Sequence, residues 1–436
     1  MKILMKLDKK KALNIIHNLG ESGQPPKLGA SLLNVGTEPL LNRLRQDYLA
    51  ALCLSADGED GSGTCRWVEG DYGNGKTQFL RCFQEQSWDL NYVVAFVELH
   101  QSECPLDKAD SVYGAVARSI QAKPLMAGDV DRSRGVDFAL FQLFDRMFPG
   151  VLTGVEVDAA LRTQAAEWLN ATLATTEVED SSVRRAAVQF LSSKLGGNEE
   201  ISQLVGTYLR GEKTTAEQRK KIGIAEPVNA ANGFRMLRSL CQLFQRSGLA
   251  TGTVLLFDEA RRSLSLMSVR QQKVACENLL SVINHCNNGD FPGTVFLYAV
   301  MPEFFTDFAT QYPALQQRCG TSTRIRLNSL QGISESELLR QIGYKVAEIF
   351  AVAHELSSAP SDFLDKNLRV LASACIQRSM ETGARRLMVK TCVQMLNEGR
   401  DSGLAPLTPE SAERMMEGVR EELRETDATQ VSTEGE

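Results

Sequence analysis

A glycine-rich octapeptide, Gly70-Asp71-Tyr72-Gly73-Asn74-Gly75-Lys76-Thr77, matches the pattern G-x-x-x-x-G-K-S/T at every fixed position. Glycines let the backbone N–H groups of such a loop turn inward and surround a phosphate. The helix predicted from Lys76 through Phe83 would direct the positive end of its dipole at the same point. We therefore predict that the octapeptide binds the phosphates of a nucleotide.

Each position of this loop has an expected role. Lys76 is expected to contact the β- and γ-phosphates, and the Thr77 hydroxyl to bind Mg²⁺. An accidental match is disfavoured because the octapeptide follows a predicted strand and opens an apolar helix. Further contacts with the nucleotide are expected from Gly70, Asp71, Tyr72, Gly73, Asn74, Gly75 and Gln78.

A second motif combines an apolar strand with two carboxylates at its end, Thr253-Val254-Leu255-Leu256-Phe257-Asp258-Glu259. Asp258 is expected to join the Mg²⁺ shell, and Glu259 to orient or deprotonate the attacking water. The two motifs together predict ATP hydrolysis. The alternative is a site that binds the nucleotide without useful turnover, with Glu259 as a surface carboxylate.

Short apolar runs separated by helical stretches predict an α/β core with a parallel sheet. Continuous apolar runs are typical of parallel strands that are buried on both faces. We predict a P-loop NTPase sheet of five strands, and the strand after the acidic pair, with a later helical domain, favours the AAA+ branch. The five runs lie at residues 65–69, 92–99, 253–258, 294–300 and 323–327.

The chain is expected to divide into four consecutive parts. Residues 1–56 form an N-terminal helical segment that packs on the core. Residues 57–330 form the ATPase core, with a helical insertion at about 105–248. Residues 331–420 form a C-terminal helical lid domain, and the polar residues 421–436 a disordered tail.

Composition excludes several classes of protein. Hydrophobic residues are 43% and charged residues 23% of the 436 residues, as in globular proteins, and no apolar run reaches membrane-helix length. The net charge of −6 argues against a surface that coats nucleic acid throughout. Arg219-Lys220-Lys221 is either a solvated face or a local nucleic-acid contact. Ten scattered cysteines predict reduced thiols in a cytoplasmic protein.

Two arginine groups are candidates for catalytic roles. Arg318, Arg324 and Arg326 surround the fifth run, and we prefer Arg318 as a finger that reaches a neighbouring subunit's γ-phosphate. Arg385 and Arg386 begin a helix in the C-terminal part, and we prefer Arg386 as the residue that meets the nucleotide when the lid closes. Ordinary surface charge is the alternative for both groups, and phosphate contacts to DNA are a further alternative for the first group.

The sequence resembles the ATP-binding proteins of BREX phage-defence systems (BrxD-like) over about residues 10–400. Such proteins are similar to AAA+ ATPases of the origin-recognition and STAND type, in which the segment before the first strand cups the adenine. The resemblance implies this role for Val35, Gly36 and Thr37, with ATP and Mg²⁺ as cofactors. It rests on the octapeptide and on Leu33-Asn34-Val35-Gly36-Thr37-Glu38, Val97-Glu98-Leu99, Leu256-Phe257-Asp258-Glu259-Ala260 and Tyr312-Pro313-Ala314-Leu315.

The resemblance also implies a function. It predicts an ATPase that works in bacterial defence against phage DNA, beside partners such as a helicase and a methyltransferase. A homo-oligomer that contacts duplex DNA and no membrane is part of this expectation. The alternative is a nucleotide-gated assembly switch or scaffold that binds partner proteins without touching DNA.

Overall fold

The central strands of the sheet are buried along their whole length. Every residue of Thr253–Asp258 and of Thr294–Val300 is buried. Successive side chains of a strand point to opposite faces of a sheet, so continuous burial means that both faces are covered. The apolar runs in the sequence therefore mark strands in the interior of an α/β protein.

The structure is a computed structural model in which six strands form one sheet within the described residues, in the order β3-β2-β4-β5-β1-β6. Neighbours among β2, β4, β5 and β1 are parallel, whereas β3 is antiparallel to β2. The strands are β1 (Thr64–Glu69), β2 (Val93–Glu98), β3 (Ile120–Gln121), β4 (Thr253–Asp258), β5 (Thr294–Val300) and β6 (Arg324–Arg326). The described residues are 7–50, 62–100, 104–124, 133–153, 158–258, 267–327, 332–356, 363–378, 383–401 and 403–433.

The predicted count of five strands was one too low. All five predicted runs carry strands, and the additional strand is β3, which has two residues. Two residues are too few to produce a periodic hydrophobic pattern, so the sequence could not reveal β3. The run at 294–300 forms β5, which lies between β4 and β1.

Most of the other described residues are helical. The α-helices are α1 (Lys9–Ser22), α2 (Glu38–Leu44), α3 (Lys76–Asp89), α4 (Ala109–Ser119), α5 (Val136–Met147), α6 (Ala159–Trp168), α7 (Ser181–Leu195), α8 (Glu199–Leu209), α9 (Ala216–Lys221), α10 (Gly233–Arg246), α11 (Val269–Asn287), α12 (Pro313–Arg318), α13 (Glu335–Ala353), α14 (Leu364–Arg378), α15 (Ala384–Glu398) and α16 (Pro409–Thr433). Short 3₁₀ turns lie at Ala30–Leu33, Ala309–Gln311 and Thr321–Thr323, and π-helical turns at Arg45–Ala50, Leu169–Leu173 and Phe304–Phe308.

The chain forms two compact units. Unit 1 comprises Met1–Asn42, Gly70–Glu85 and Arg326–Glu436, and unit 2 comprises Arg43–Glu69 and Gln86–Ile325. The consecutive parts predicted from the sequence therefore do not coincide with these units. The reason is that residues 70–85 are bonded both to the N-terminal segment and to α15, which are far from them in sequence.

The core of unit 2 combines the sheet with the helices that follow β2. Trp67 on β1 packs against Tyr298 on β5, with 5.2 Å between ring centroids. Tyr298 in turn stacks on Phe257 of β4 at 4.7 Å. Apolar residues of α4, α5, α7, α8 and α10 continue the same cluster. The helical region that we predicted as an insertion thus shares one hydrophobic core with the sheet.

The last helix of unit 1 extends into the segment for which a disordered tail is predicted. Helix α16 ends at Thr433, so residues 421–433 are helical. Met416, Val419 and Leu423 are buried, and their spacing of three and four residues is that of one helix face. The polar composition beyond Leu423 concealed the continuation of this helix.

Buried thiols are common in the described parts of the chain. The nine cysteines there are all buried and outside disulfides, and Cys53 lies outside the described residues. Burial raises the pKa of the Cys241 and Cys392 thiols to about 12, so both are protonated at neutral pH. None of the described helices combines the length and the apolar character that crossing a bilayer would require.

Candidate functional site

The 70–77 loop joins the end of β1 to the start of α3. Gly73 and Gly75 have φ angles of 76° and 80°, which a residue with a Cβ atom adopts only with strain. The Asn74 N–H donates to the Asp71 carbonyl at 3.2 Å and closes a turn. These glycines give the loop the tight curvature that a phosphate-binding backbone requires.

Lys76 is the first residue of α3, and its side chain folds back over the loop. Its Nζ donates to the Gly70 carbonyl at 2.8 Å and to the Asp71 carbonyl at 2.9 Å. Thr77 follows in the first turn of α3 and is half-buried, whereas the Tyr72 side chain is 54% exposed. The positive charge of Lys76 therefore lies at the loop, where the sequence predicts the phosphates.

The N-terminus of α15 packs on the same loop. Arg385 Nη1 donates to the Asn74 carbonyl at 2.6 Å. The backbones of Gly383 and Gly73 approach each other so closely that a Cβ atom added to Gly383 would lie 2.7 Å from the Gly73 Cα. Burial lowers the pKa of the Arg385 guanidinium below its ordinary value. A second cationic side chain is thus held at the loop by a helix of the C-terminal region.

Arg386, which we preferred for this position, points elsewhere. Its Nε donates to the Ser22 carbonyl at the C-terminal end of α1, at 2.8 Å. Successive residues of an α-helix differ in direction by about 100°, which agrees with the different partners of the two adjacent arginines. The structure therefore makes Arg385, rather than Arg386, the candidate for a contact with the nucleotide.

The segment predicted to cup the adenine lies between the Ala30–Leu33 turn and α2. Val35 and Thr37 are only 7% and 4% exposed, and the Thr37 hydroxyl donates to the Asn34 side-chain carbonyl. Gly36 between them is partly exposed and has a φ of 78°. Of the three predicted residues, Gly36 is the one with backbone atoms open to a ligand.

Helix α3 holds this N-terminal segment with two side chains. Gln78 Nε2 donates to the Ala30 carbonyl at 2.6 Å. The Glu85 carboxylate accepts the backbone N–H groups of Gly29, Ala30 and Ser31, and the Ser31 hydroxyl. Gln78, for which a nucleotide contact is predicted, thus bonds to this segment. Sequence reasoning missed Glu85, because no local motif marks bonds to residues 54 to 56 positions earlier.

The acidic residues of the second motif lie where parallel strands end. Asp258 is the last residue of β4 and is 4% exposed. It is in register with Glu98, the exposed last residue of β2. Glu259 lies outside the described residues. Glu98 therefore provides a further carboxylate at this edge of the sheet, to which the sequence analysis gave no role.

The three arginines around β6 differ in their surroundings. Arg324 lies 3.5 Å from the centroid of the Phe305 ring, and its Nη1 is 3.9 Å from a Glu69 carboxylate oxygen. Arg326 is exposed at the end of β6. Arg318 ends α12, is exposed, and lines a cavity of about 450 Å³ along β1. Arg324 already contacts Phe305 and Glu69 within unit 2. Arg318 therefore stays the preferred candidate for contact with another subunit.

Two residues of the basic run Arg219-Lys220-Lys221 contact other residues of unit 2. The Arg219 guanidinium donates to the Thr214 carbonyl, and the Lys221 ammonium pairs with Glu200. Lys220 is exposed. These internal contacts favour the interpretation of the run as a solvated face rather than a nucleic-acid contact.

Replacing Gly383 by alanine should test the contact between α15 and the loop. We expect Gly383→Ala to lower the free energy of unfolding by about 1 kcal/mol from its φ of 77°, plus about 1–3 kcal/mol because the new Cβ would overlap Gly73. Chemical denaturation measures the total loss in the free energy of unfolding.

Gly403→Ala is the matched control for that substitution. Gly403 has a φ of 80°, and among the described residues no atom lies within 4 Å of a Cβ placed on it. The control should show only the loss from the backbone angle. Equal losses in the two variants would contradict a close contact between Gly383 and Gly73.

Comparison with known proteins identifies the family. The model of the family described as BREX system ATP-binding protein BrxC/D matches residues 7–402. No curated protein and no solved structure matches the chain. The family match covers most of the chain, including the 70–77 loop, the Gly36 segment and α15. The chain therefore belongs to the BREX system ATP-binding protein BrxC/D family, as its resemblance predicted.

Proposed function

We propose that this protein binds ATP at the 70–77 loop, hydrolyses it, and uses the cycle in BREX phage defence. The observation that carries the proposal is the loop itself, with Gly73 and Gly75 at positive φ and the Lys76 ammonium bonded to its carbonyls. A triphosphate is strongly anionic, and inward N–H groups with a lysine are the donors that bind it. Membership of an ATP-binding family supports the choice of nucleotide.

Mg²⁺ fits the donors that this proposal assigns to it. The Thr77 hydroxyl and the Asp258 carboxylate are hard oxygen ligands, which Mg²⁺ prefers. When bound, the ion would neutralise charge that develops on the β- and γ-phosphates. The role of the two side chains would be to hold the ion beside the phosphates.

The remaining residues would act on the γ-phosphate and the water. Lys76 stabilises charge on the phosphoryl group, and Glu259 orients the water and accepts its proton. Arg385 adds a positive charge from α15 beside the loop. In an oligomer, Arg318 would supply a guanidinium to the nucleotide of a neighbouring subunit.

The binding step can be tested by removing the charge of the loop. We expect Lys76→Ala to weaken the binding of a non-hydrolysable ATP analogue at least tenfold, or about 1.4 kcal/mol, because it removes a cation that contacts the phosphates. Calorimetric titration measures this affinity. Lys273→Ala, which removes an exposed lysine of α11, should bind as the wild type does. Equal affinity in the Lys76 variant would exclude the loop as the ATP site.

The contacts that the basic run at residues 219–221 makes within unit 2 support a second candidate function. If Arg219 and Lys221 serve unit 2 itself, the protein can act as a nucleotide-gated switch that assembles partners such as a helicase without binding DNA. The net charge of −6 points the same way. Titration with duplex DNA separates the two functions, because DNA binding through phosphates weakens steeply as salt increases.

A further inference from the structure

One face of α3 joins the predicted phosphate loop to the segment that contains Gly36. The helix begins with Lys76, and Gln78 and Glu85 are seven residues apart, which is two turns of one helix face. Both side chains contact the turn at residues 29–31. The same rigid element therefore carries the predicted phosphate contacts and holds the N-terminal segment.

Glu85 makes the larger share of this connection. Its Oε1 accepts the backbone N–H groups of Gly29 and Ala30, the second at 2.9 Å. Its Oε2 accepts the Ser31 N–H at 3.1 Å and the Ser31 hydroxyl. A carboxylate has four acceptor sites, so these four bonds use its full capacity. Bonds from N–H groups to an ionised acceptor are about twice as strong as neutral ones, so the turn is firmly held.

The position of this turn determines the position of Gly36. The Asn34 N–H donates back to the Ser31 carbonyl at 3.4 Å, and the Asn34 side chain accepts the Thr37 hydroxyl. The Thr37 carbonyl then accepts the Leu41 N–H and begins α2. Gly36 is enclosed between these bonds, with a φ of 78°. A shift at Ser31 would therefore displace the exposed backbone of Gly36.

Backbone groups distinguish adenine from guanine by hydrogen bonding. Adenine carries an amino donor where guanine carries a carbonyl acceptor. A backbone carbonyl that accepts from adenine would face the guanine oxygen and lose its bond. We propose that Glu85 is a positioning residue, which fixes the Gly36 backbone and so sets the preference of the site for adenine. This inference rests on the proposed ATP site at the 70–77 loop and on the adenine contact that the family resemblance implies for Gly36.

Three ligands test the proposal on the full-length protein. They are non-hydrolysable ATP and GTP analogues and inorganic tripolyphosphate, each titrated by calorimetry. Glu85→Gln retains the size of the side chain but replaces two acceptor sites by donors that face N–H and O–H groups. We expect the preference for the ATP over the GTP analogue to fall about tenfold, or about 1.4 kcal/mol. Tripolyphosphate has no base, so its affinity should stay within about twofold of the wild-type value.

The control removes a carboxylate from the same helix. Asp89 is in the last turn of α3 and forms an exposed ion pair with Lys123, so Asp89→Asn should leave the ATP-to-GTP ratio unchanged. If Glu85→Gln does not fold, Ser31→Ala, which removes one of the four donors, should lower the ratio about two- to threefold.

Three results would overturn the inference. An unchanged ratio in the Glu85 variant, or in the Ser31 variant where that one replaces it, would show that Glu85 does not set base preference. An equal loss for all three ligands would show general damage to the site. Wild-type protein that binds none of the ligands would overturn the proposed ATP site as well, and that outcome is distinct from the other two.

Discussion

Glu259→Gln is expected to slow phosphate release from ATP by about 10²-fold or more while the affinity for ATP stays within about twofold. Glutamine keeps the size and the hydrogen-bonding oxygen of glutamate, but it cannot accept the proton of the attacking water. The loss should therefore appear in turnover and not in binding. Steady-state phosphate release with Mg²⁺, with and without duplex DNA, measures the first, and calorimetry measures the second.

Glu98→Gln is the matched control for that experiment. Glu98 ends β2 in register with Asp258, so it presents a second carboxylate at the same edge of the sheet. We expect its turnover to remain within about threefold of the wild type, because the proposal gives the proton transfer to Glu259. The reverse pattern, with loss in the Glu98 variant alone, would move the catalytic base to β2. If the wild-type protein shows no ATP turnover, that result would favour the second candidate function, a nucleotide-gated assembly switch.

Arg210→Ala is expected to lower the free energy of unfolding by about 3 kcal/mol. Arg210 Nη1 pairs with the buried carboxylate of Asp137 in α5, and its Nε donates to Glu212 at 2.7 Å. Without the guanidinium, Asp137 would be a buried charge without a cation beside it. Denaturant titration measures the loss.

The pH dependence of this variant gives an independent check. Burial raises the pKa of the Asp137 carboxyl above its ordinary value near 3.8, and Arg210 opposes that shift. Removing Arg210 should raise this pKa further, so the folded variant binds a proton more tightly than the unfolded chain does. Its stability should then fall as pH rises through the raised pKa, and recover in acid.

Two variants complete the comparison. Lys123→Ala breaks an exposed ion pair with Asp89 and should cost less than about 1 kcal/mol. The double variant Asp137→Asn with Arg210→Met should regain most of the lost stability, because it leaves no buried charge. A loss in Arg210→Ala no larger than in Lys123→Ala, at every pH, would show that Arg210 does not compensate a buried charge.

Local sequence patterns were enough to predict five of the six described strands and the loop. Short continuous apolar runs such as those at 253–258 and 294–300 are typical of strands buried on both faces of a sheet, and they form β4 and β5. Two of the three glycines in the octapeptide at 70–77, Gly73 and Gly75, lie where the backbone takes positive φ angles. These features depend on a few neighbouring residues, so a single sequence contains the information that determines them.

Side-chain choices that depend on tertiary packing could not be predicted in the same way. Arg385 and Arg386 are equivalent in a sequence pattern, and only the packing of α15 decides which one meets the loop. Glu85 looks like any glutamate on a helix, because its partners lie in another segment of the chain. Gln78 was assigned to the nucleotide from its place after the loop, but its amide contacts Ala30.

Hydrogen–deuterium exchange with a saturating non-hydrolysable ATP analogue and Mg²⁺ tests most directly whether ATP binds at the 70–77 loop. Backbone amides that bind phosphates are shielded from exchange, so peptides that cover residues 70–85 should exchange more slowly than in the free protein. Peptides that cover residues 29–37 should slow as well, and Lys76→Ala should show neither change. Protection confined to other segments, or unchanged exchange at 70–77 in saturated protein, would contradict the proposed site.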